Sequence, residues 1–190
     1  WARLVIKAEE GFSKIENIEN DIPYVEFKGE KDYPSPYEKS SLELAYFNGY
    51  GGFYEDDMQY VIKLDDDLNT PLPWINVVAN RDFGFIITER GGGFTWYKNS
   101  RENKLTPWYN DPIVDTPGEI IYLRDDDTGE VWNVTSSPIR KDGSYTVVHG
   151  SGFTKFYYDG FGINQELSIF IPINDSVKLN MLKLKNYSKT

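Results

Sequence analysis

Residues 91 to 108, GGGFTWYKNSRENKLTPW, set three glycines ahead of an aromatic run, with Arg90 and Arg101 close by. Two chemistries use such residues. A phosphate cradle takes the backbone amides of a glycine-rich loop that opens a helix. Here Phe94-Thr95-Trp96-Tyr97 reads as a strand and no Gly-Lys-Ser/Thr follows, so a tight turn into a strand is the better reading. A sugar platform instead offers Trp and Tyr faces to apolar C–H patches, while Arg, Asn and Asp bond the hydroxyls. Trp96, Tyr97, Arg101, Asn103, Trp108 and Asn110 supply that mixture within fifteen positions and are the candidate substrate-binding residues. The competing reading is structural, because aromatics in a β protein mostly fill its core.

Acids and the one histidine offer less. Asp56-Asp57, Asp65-Asp66-Asp67 and Asp125-Asp126-Asp127 could in principle serve glycoside chemistry or hold calcium. The spacing of a calcium loop is absent, and Asp125 to Gly129 falls where a hairpin turn wants such residues, so solvated turns are expected. His149 is the sole histidine, with no G-x-S-x-G elbow and no cysteine to share a zinc ion. It reads as structural. No catalytic residue and no metal ligand is assigned.

The elements that must position these groups are strands. LELAYF, QYVIKL, WINVVA, FGFIIT, FTWYK, EIIYL, EVWNV, SYTVVH, FTKFYY, INQELSIFIPI and VKLNMLKLK are rich in β-branched and aromatic residues, and turn residues separate many of them. Asp159-Gly160 marks the clearest hairpin. In the last segment the apolar phase flips between Met181 and Leu182, which predicts a bulge or a strand buried on both faces in turn. No confident helix follows residue 44, so the fold class is all-β, a large antiparallel β-sandwich. A last strand of this hydrophobicity would be a hazard as an edge, so the sandwich is expected to be incomplete at its C-terminal end. Residues 1–43 differ: a weak helical stripe leads into KGEKDYPSPYEKSS, which reads as a linker. The domain reading is therefore 1–43, an upstream segment and linker, and 44–190, the sandwich. Trp1 in place of Met suggests a fragment.

Composition sets the outer bounds. A formal charge of −10 opposes a general role on nucleic acid, which needs a basic face. The absence of cysteine excludes disulfides and thiolate sites and fits a cytoplasmic location. No apolar run is long enough for a transmembrane helix, so no membrane partner is expected. Asn133, Asn174 and Asn186 match the glycosylation pattern but carry little weight alone.

One family matches these residues in order. Phe47-Asn-Gly-Tyr-Gly-Gly-Phe53 is followed by Gln59-Tyr-Val-Ile62 and by Thr70-Pro-Leu-Pro-Trp-Ile-Asn-Val-Val-Ala-Asn80. Then come Phe83-Gly84, Gly91 to Tyr97, Asn99 to Trp108, Asn110-Asp-Pro112, Tyr122 to Asp125 and His149-Gly150. This succession resembles the N-terminal β-sandwich of glycoside hydrolase family 94, the inverting glycan phosphorylases. It looks most like β-1,2-oligoglucan phosphorylases and the C-terminal region of cyclic β-1,2-glucan synthases. The resemblance covers about residues 44 to 190.

It implies a galactose-mutarotase-like supersandwich within a larger enzyme whose helical (α/α)6 barrel carries the general acid. Such an enzyme uses inorganic phosphate as co-substrate, with no metal or organic cofactor. The barrel is not among these residues, so the chain is expected to be inactive alone and to assist substrate positioning and assembly. Its implied partners are a β-glucan oligosaccharide and the helical-barrel domain, with room for a homodimer. Two alternatives stand beside this reading: a stand-alone carbohydrate-binding module on the Trp96 platform, and an interaction domain that pairs through its exposed last strand.

Overall fold

The computed structural model describes residues 43–54, 58–65 and 67–187, all within one compact unit. The expected linker over residues 1–43 lies almost wholly outside the described residues, as do Asp56, Asp57 and Asp66. Eleven strands follow in chain order: β1 (Gly51–Tyr54), β2 (Gln59–Leu64), β3 (Ile75–Ala79), β4 (Phe83–Thr88), β5 (Gly93–Tyr97), β6 (Tyr122–Arg124), β7 (Val131–Asn133), β8 (Tyr145–Gly150), β9 (Phe153–Gly160), β10 (Ile163–Phe170) and β11 (Leu179–Asn186). No helix occurs among the described residues. The strands form a six-stranded sheet, β1-β2-β8-β9-β10-β11, a three-stranded sheet, β3-β4-β5, and a two-stranded ribbon, β6-β7. Every ladder is antiparallel, as the all-β reading requires.

The core forms where period-two patterns from the sheets meet. Ile62, Leu64, Tyr145, Val147, Phe156, Tyr158, Leu167 and Ile169 line the inner face of the large sheet. Val78, Phe85 and Ile87 come from the small one, and Trp132 and Val134 close the side. Burying each such side chain stabilises the fold by about 1.5–3 kcal/mol. Two polar ties lock the layers. Asn76 Nδ2, on β3, donates to Gly150 O (3.1 Å), Phe153 O (2.9 Å) and Thr154 Oγ1 (3.0 Å). Asn80 closes the β3–β4 turn through its Oδ1 and clamps Pro172 O (2.9 Å) and Asp175 O (2.8 Å) through its Nδ2.

The structure departs from the sequence reading at three places. The described residues of LELAYF, 43–47, are not a strand; only Ala45 bridges to Phe53, and GGFY takes its place as β1. A Cβ on Gly51 would lie 2.3 Å from Val61 O, and one on Gly52 would lie 2.7 Å from Ala45 O. Two bare backbones can approach there, which strand propensity does not score.

The β9–β10 hairpin exists, but its turn is Phe161–Gly162, with φ of 58° and 70°, and Asp159 and Gly160 belong to β9. Phe161 keeps that left-handed conformation while its ring stacks on Trp132, centroids 4.4 Å apart at 25°. The phase flip in β11 needs no bulge, because the register runs unbroken from Phe170↔Leu179 to Ile163↔Asn186. Leu182 packs against the core from the inner face, while Met181, on the other face, is exposed. Asn133, which matches the glycosylation pattern, is fully buried with its Nδ2 bonded to Ser137 O (2.7 Å) and Thr135 Oγ1 (2.9 Å), so it is no glycan acceptor in the folded chain.

Candidate functional site

The three glycines form the β4–β5 turn. Thr88 N donates to Gly92 O (2.8 Å), Gly91 N to Thr88 O (3.1 Å), and Gly92 N to Thr88 Oγ1 (2.8 Å). Gly91 and Gly93 have φ of 96° and 143°, conformations that disfavour a side chain. Space is as tight as the dihedrals: a Cβ on Gly92 would sit 2.1 Å from Asp115 Oδ1, and one on Gly93 would sit 2.1 Å from Ile86 O. The turn thus presses on a carboxylate, the reverse of a phosphate cradle.

Two buried acids back this turn. Asp115 accepts a hydrogen bond from Thr88 Oγ1 at 2.5 Å and is nearly buried. Glu89 has no exposed surface; its Oε1 accepts from the Thr70 hydroxyl and its Oε2 from Trp74 N at 2.7 Å. Burial pushes both carboxyls above the usual range, and their hydrogen bonds pull partly back. Neither acid was singled out from the sequence. A charged residue closing an apolar strand was the only local signal for Glu89.

The six candidate residues occupy three distinct places. Trp96 lies on the outer face of the small sheet, with its ring across Gly84, where a Cβ would meet it at 2.2 Å. Phe94 shares that face and links Trp96 (5.5 Å) to Trp108 (4.7 Å). Tyr97, the next residue of an extended strand, points to the opposite face, with Lys98 Nζ 5.3 Å from its ring centroid. Trp96 and Tyr97 therefore cannot stack one ligand together.

Asn103 ties the loop: its Nδ2 donates to Tyr97 O (3.1 Å) and its carbonyl accepts from Tyr97 N (3.2 Å). Arg101 stands at the loop tip, highly exposed beside Glu102 at 3.2 Å. Asn110 is exposed, with φ of 51°, at the entry to a turn capped by Asp111. Asp111 Oδ1 accepts from Ile113 N (2.9 Å) and Val114 N (3.1 Å); the Val114 amide first, then that of Ile113, holds its carboxyl below the usual range. The outer edge of β5 is covered by this loop through the Trp96↔Lys104 bridge and Leu105 N→Thr95 O (2.8 Å).

Asp125 and the histidine are committed to structure. Asp125 Oδ1 accepts from Asp127 N (2.8 Å) and Thr128 N (3.2 Å), closing the β6–β7 turn, and those bonds lower its pKa. Among the described residues no His, Asp and Glu side chains converge to hold a metal. His149 Nε2 lies 3.3 Å from Trp74 O, an acceptor, so this nitrogen carries the proton, and Nδ1 accepts from Thr154 Oγ1 (3.1 Å). Desolvation lowers its pKa to about 4, and the bond to Trp74 O opposes that shift.

The folded value lies below that of the unfolded chain. The contribution of His149 is therefore fully present above about pH 6.5 and is lost as the pH falls through about 4. The stability difference between the wild type and His149→Gln should shrink by roughly 2 kcal/mol between about pH 7.5 and about pH 4.5. Urea unfolding at both pH values measures it, and a difference that does not change with pH would refute the buried neutral ring.

Comparison with known proteins places this architecture. Residues 58–190 match the profile described as "Glycosyl hydrolase 94, supersandwich domain". Cyclic beta-(1,2)-glucan synthase NdvB of Rhizobium meliloti is 40% identical over 128 residues, covering 67% of this chain and 4% of that protein. N,N'-diacetylchitobiose phosphorylase of Vibrio proteolyticus is 32% identical over 142 residues, covering 73% of this chain and 17% of that protein. The same enzyme of Vibrio furnissii is 34% identical over an equal length and coverage. The chain thus spans less than a fifth of each of these relatives. With two packed antiparallel sheets and a profile match over most of its length, the chain belongs to the glycosyl hydrolase 94 supersandwich family.

Proposed function

We propose that this sandwich is a non-catalytic domain of a glycosyl-transferring enzyme that makes or phosphorolyses a β-glucan, β-1,2-linked, and that it positions substrate and supports assembly. The observation that carries the reading is the commitment of its chemically capable groups. Glu89, Asp115 and His149, buried groups that a reaction could recruit, have polar atoms tied to the fold: Glu89 by the Thr70 hydroxyl and Trp74 N, Asp115 by Thr88, and His149 by Thr154 Oγ1 and Trp74 O. The similarity to a cyclic beta-(1,2)-glucan synthase supports the linkage. Inorganic phosphate would be the co-substrate of the larger enzyme, and a helical catalytic barrel the partner of this domain. Phosphorolysis must hold a dianion beside a sugar while excluding water, and a sandwich laid over a barrel mouth would serve that exclusion.

The 190-residue chain should release no glucose 1-phosphate from β-1,2-glucan and phosphate. Release above the buffer rate would defeat the non-catalytic role. A stand-alone binding module is the second reading, favoured by the Trp96 ring lying across Gly84 on the outer face. Calorimetric titration with sophorose separates the two: no heat fits the covering domain, whereas millimolar binding abolished by Trp96→Ala fits the module.

A further inference from the structure

On the inner side of the glycine turn lies a partly open cavity of about 230 Å³, bounded by β4–β5, β10, the 119–121 and 134–135 segments and residues 178 and 180. It is smaller than the roughly 300–1,000 Å³ of clefts that hold drug-sized ligands. Its floor is apolar, from Ile87, Val134, Leu167 and Ile169, and its rim is polar, from Glu119, Lys178 and Asn180. Gly91, Gly92 and Gly93 make one wall of backbone. The contacts that exclude a Cβ from these glycines also hold that wall in place. The site is preformed.

The rim has hydrogen-bonding capacity to offer. Lys178, with a side chain only 12% exposed, donates to Glu119 Oε2 and to Thr95 Oγ1 (3.2 Å), and Thr95 Oγ1 donates to the same Glu119 oxygen at 3.0 Å. Lys178 Nζ also lies 5.1 Å from the Phe85 ring centroid, and its third N–H, Glu119 Oε1 and the Asn180 side-chain amide have no hydrogen-bond partner among the described residues. Charge narrows the class further. Lys178 and Glu119 cancel, the Gly91 and Gly92 amides are already used and Asp115 backs the glycine wall. An anion therefore finds no free donor in those two amides and, at the rim, meets the Lys178 and Asn180 donors only beside the Glu119 carboxylate. A cation meets Lys178. A wholly apolar guest would strand the rim's polar groups, at a cost of about 1–3 kcal/mol each.

We infer that this cavity binds a neutral polyhydroxyl compound the size of one sugar ring. Its C–H face lies on Leu167 and Ile169, and its hydroxyls meet Glu119, Lys178 and Asn180. The site is distinct from the outer Trp96 face and does not depend on the glucan reading.

The test is amide-shift titration of the isotope-labelled 190-residue chain with D-glucose, with myo-inositol and with inorganic phosphate. Glucose or inositol should move the Gly91, Gly92, Gly93, Ile121 and Thr135 amides with a Kd on the order of 1–10 mM. Asn180 is exposed, so Asn180→Leu should keep the spectrum folded while weakening that binding about 2- to 12-fold, the value of one hydrogen bond. Any of three results would overturn the inference: no movement of these amides up to about 100 mM of either polyol, movement with phosphate instead, or unchanged affinity in Asn180→Leu. Shifts confined to Trp96 and Trp108 would also overturn it while leaving the module reading standing.

Discussion

Gly93→Ala should lower the unfolding free energy by about 3 kcal/mol or more, among the largest effects of any single methyl in the domain. The new Cβ would lie 2.1 Å from Ile86 O and 2.8 Å from Ile86 C, both backbone atoms of β4. These atoms are held by the β3–β4–β5 ladders, so the clash cannot be relieved by rotating a side chain. The φ of 143° adds strain of order 1–3 kcal/mol for any non-glycine residue. Gly129→Ala is the control: its φ is 76°, yet nothing lies within 4 Å of its added Cβ, so only the dihedral penalty of about 1 kcal/mol applies. Urea midpoints of the two variants separate backbone collision from backbone dihedral. A Gly93→Ala loss no larger than that of Gly129→Ala would mean that the turn is not tightly held.

Glu89 is the second position of large effect. Glu89→Ala leaves the Trp74 N–H and the Thr70 hydroxyl without their acceptor and opens a cavity in a fully buried site, so a loss of about 3–5 kcal/mol is expected. Glu89→Gln keeps an acceptor for Trp74 N and a polar group for Thr70, and should cost less than about 1 kcal/mol near neutral pH. The sign of the pH effect follows from the raised carboxyl. The favourable contribution of Glu89 is fully present below its unfolded value, 4.5, and is lost as the pH rises through the folded value. Relative to the wild type, Glu89→Gln should therefore improve on going from acid to neutral pH. The opposite slope would show that the site prefers the ionised carboxylate.

The strands were legible because alternation is local. In β9, Thr154, Phe156 and Tyr158 are buried while Phe153, Lys155 and Tyr157 are only half-covered, and that period is written in adjacent residues. The segments that failed were those decided by distant contacts: GGFY paired because Gly51 and Gly52 let backbones approach, and the β9–β10 turn moved to Phe161–Gly162, where the Phe161 ring rests on Trp132. The residues that carried the family resemblance turn out to be ties of the fold. Asn48 Oδ1 accepts from Tyr50 N and Gly51 N (each 3.1 Å), Asn76 joins the two sheets, and Asn80 pins the 172–175 loop. Motif order could reveal the family, since such ties are specific to an architecture.

The candidate site was legible in kind more than in arrangement. Residue types in the 91–108 stretch pointed to a turn entering an aromatic strand, and the structure has that turn and that strand. Pleating then sent Trp96 and Tyr97 to opposite faces, and loop closure consumed the Asn103 amide.

By itself the amino-acid order determined the all-β class, most strand positions and the family, because period-two patterning and ordered short motifs are encoded between near neighbours. Only the tertiary structure decided that Glu89 and Asp115 back the glycine turn, that burial keeps His149 neutral beside Trp74 O, and that Lys178 joins Glu119 at the rim of a cavity. Those pairings span 15, 27, 75 and 59 residues along the chain. They arise from the stacking of separate sheets, and no local rule of composition or spacing specifies which side chains that stacking brings face to face.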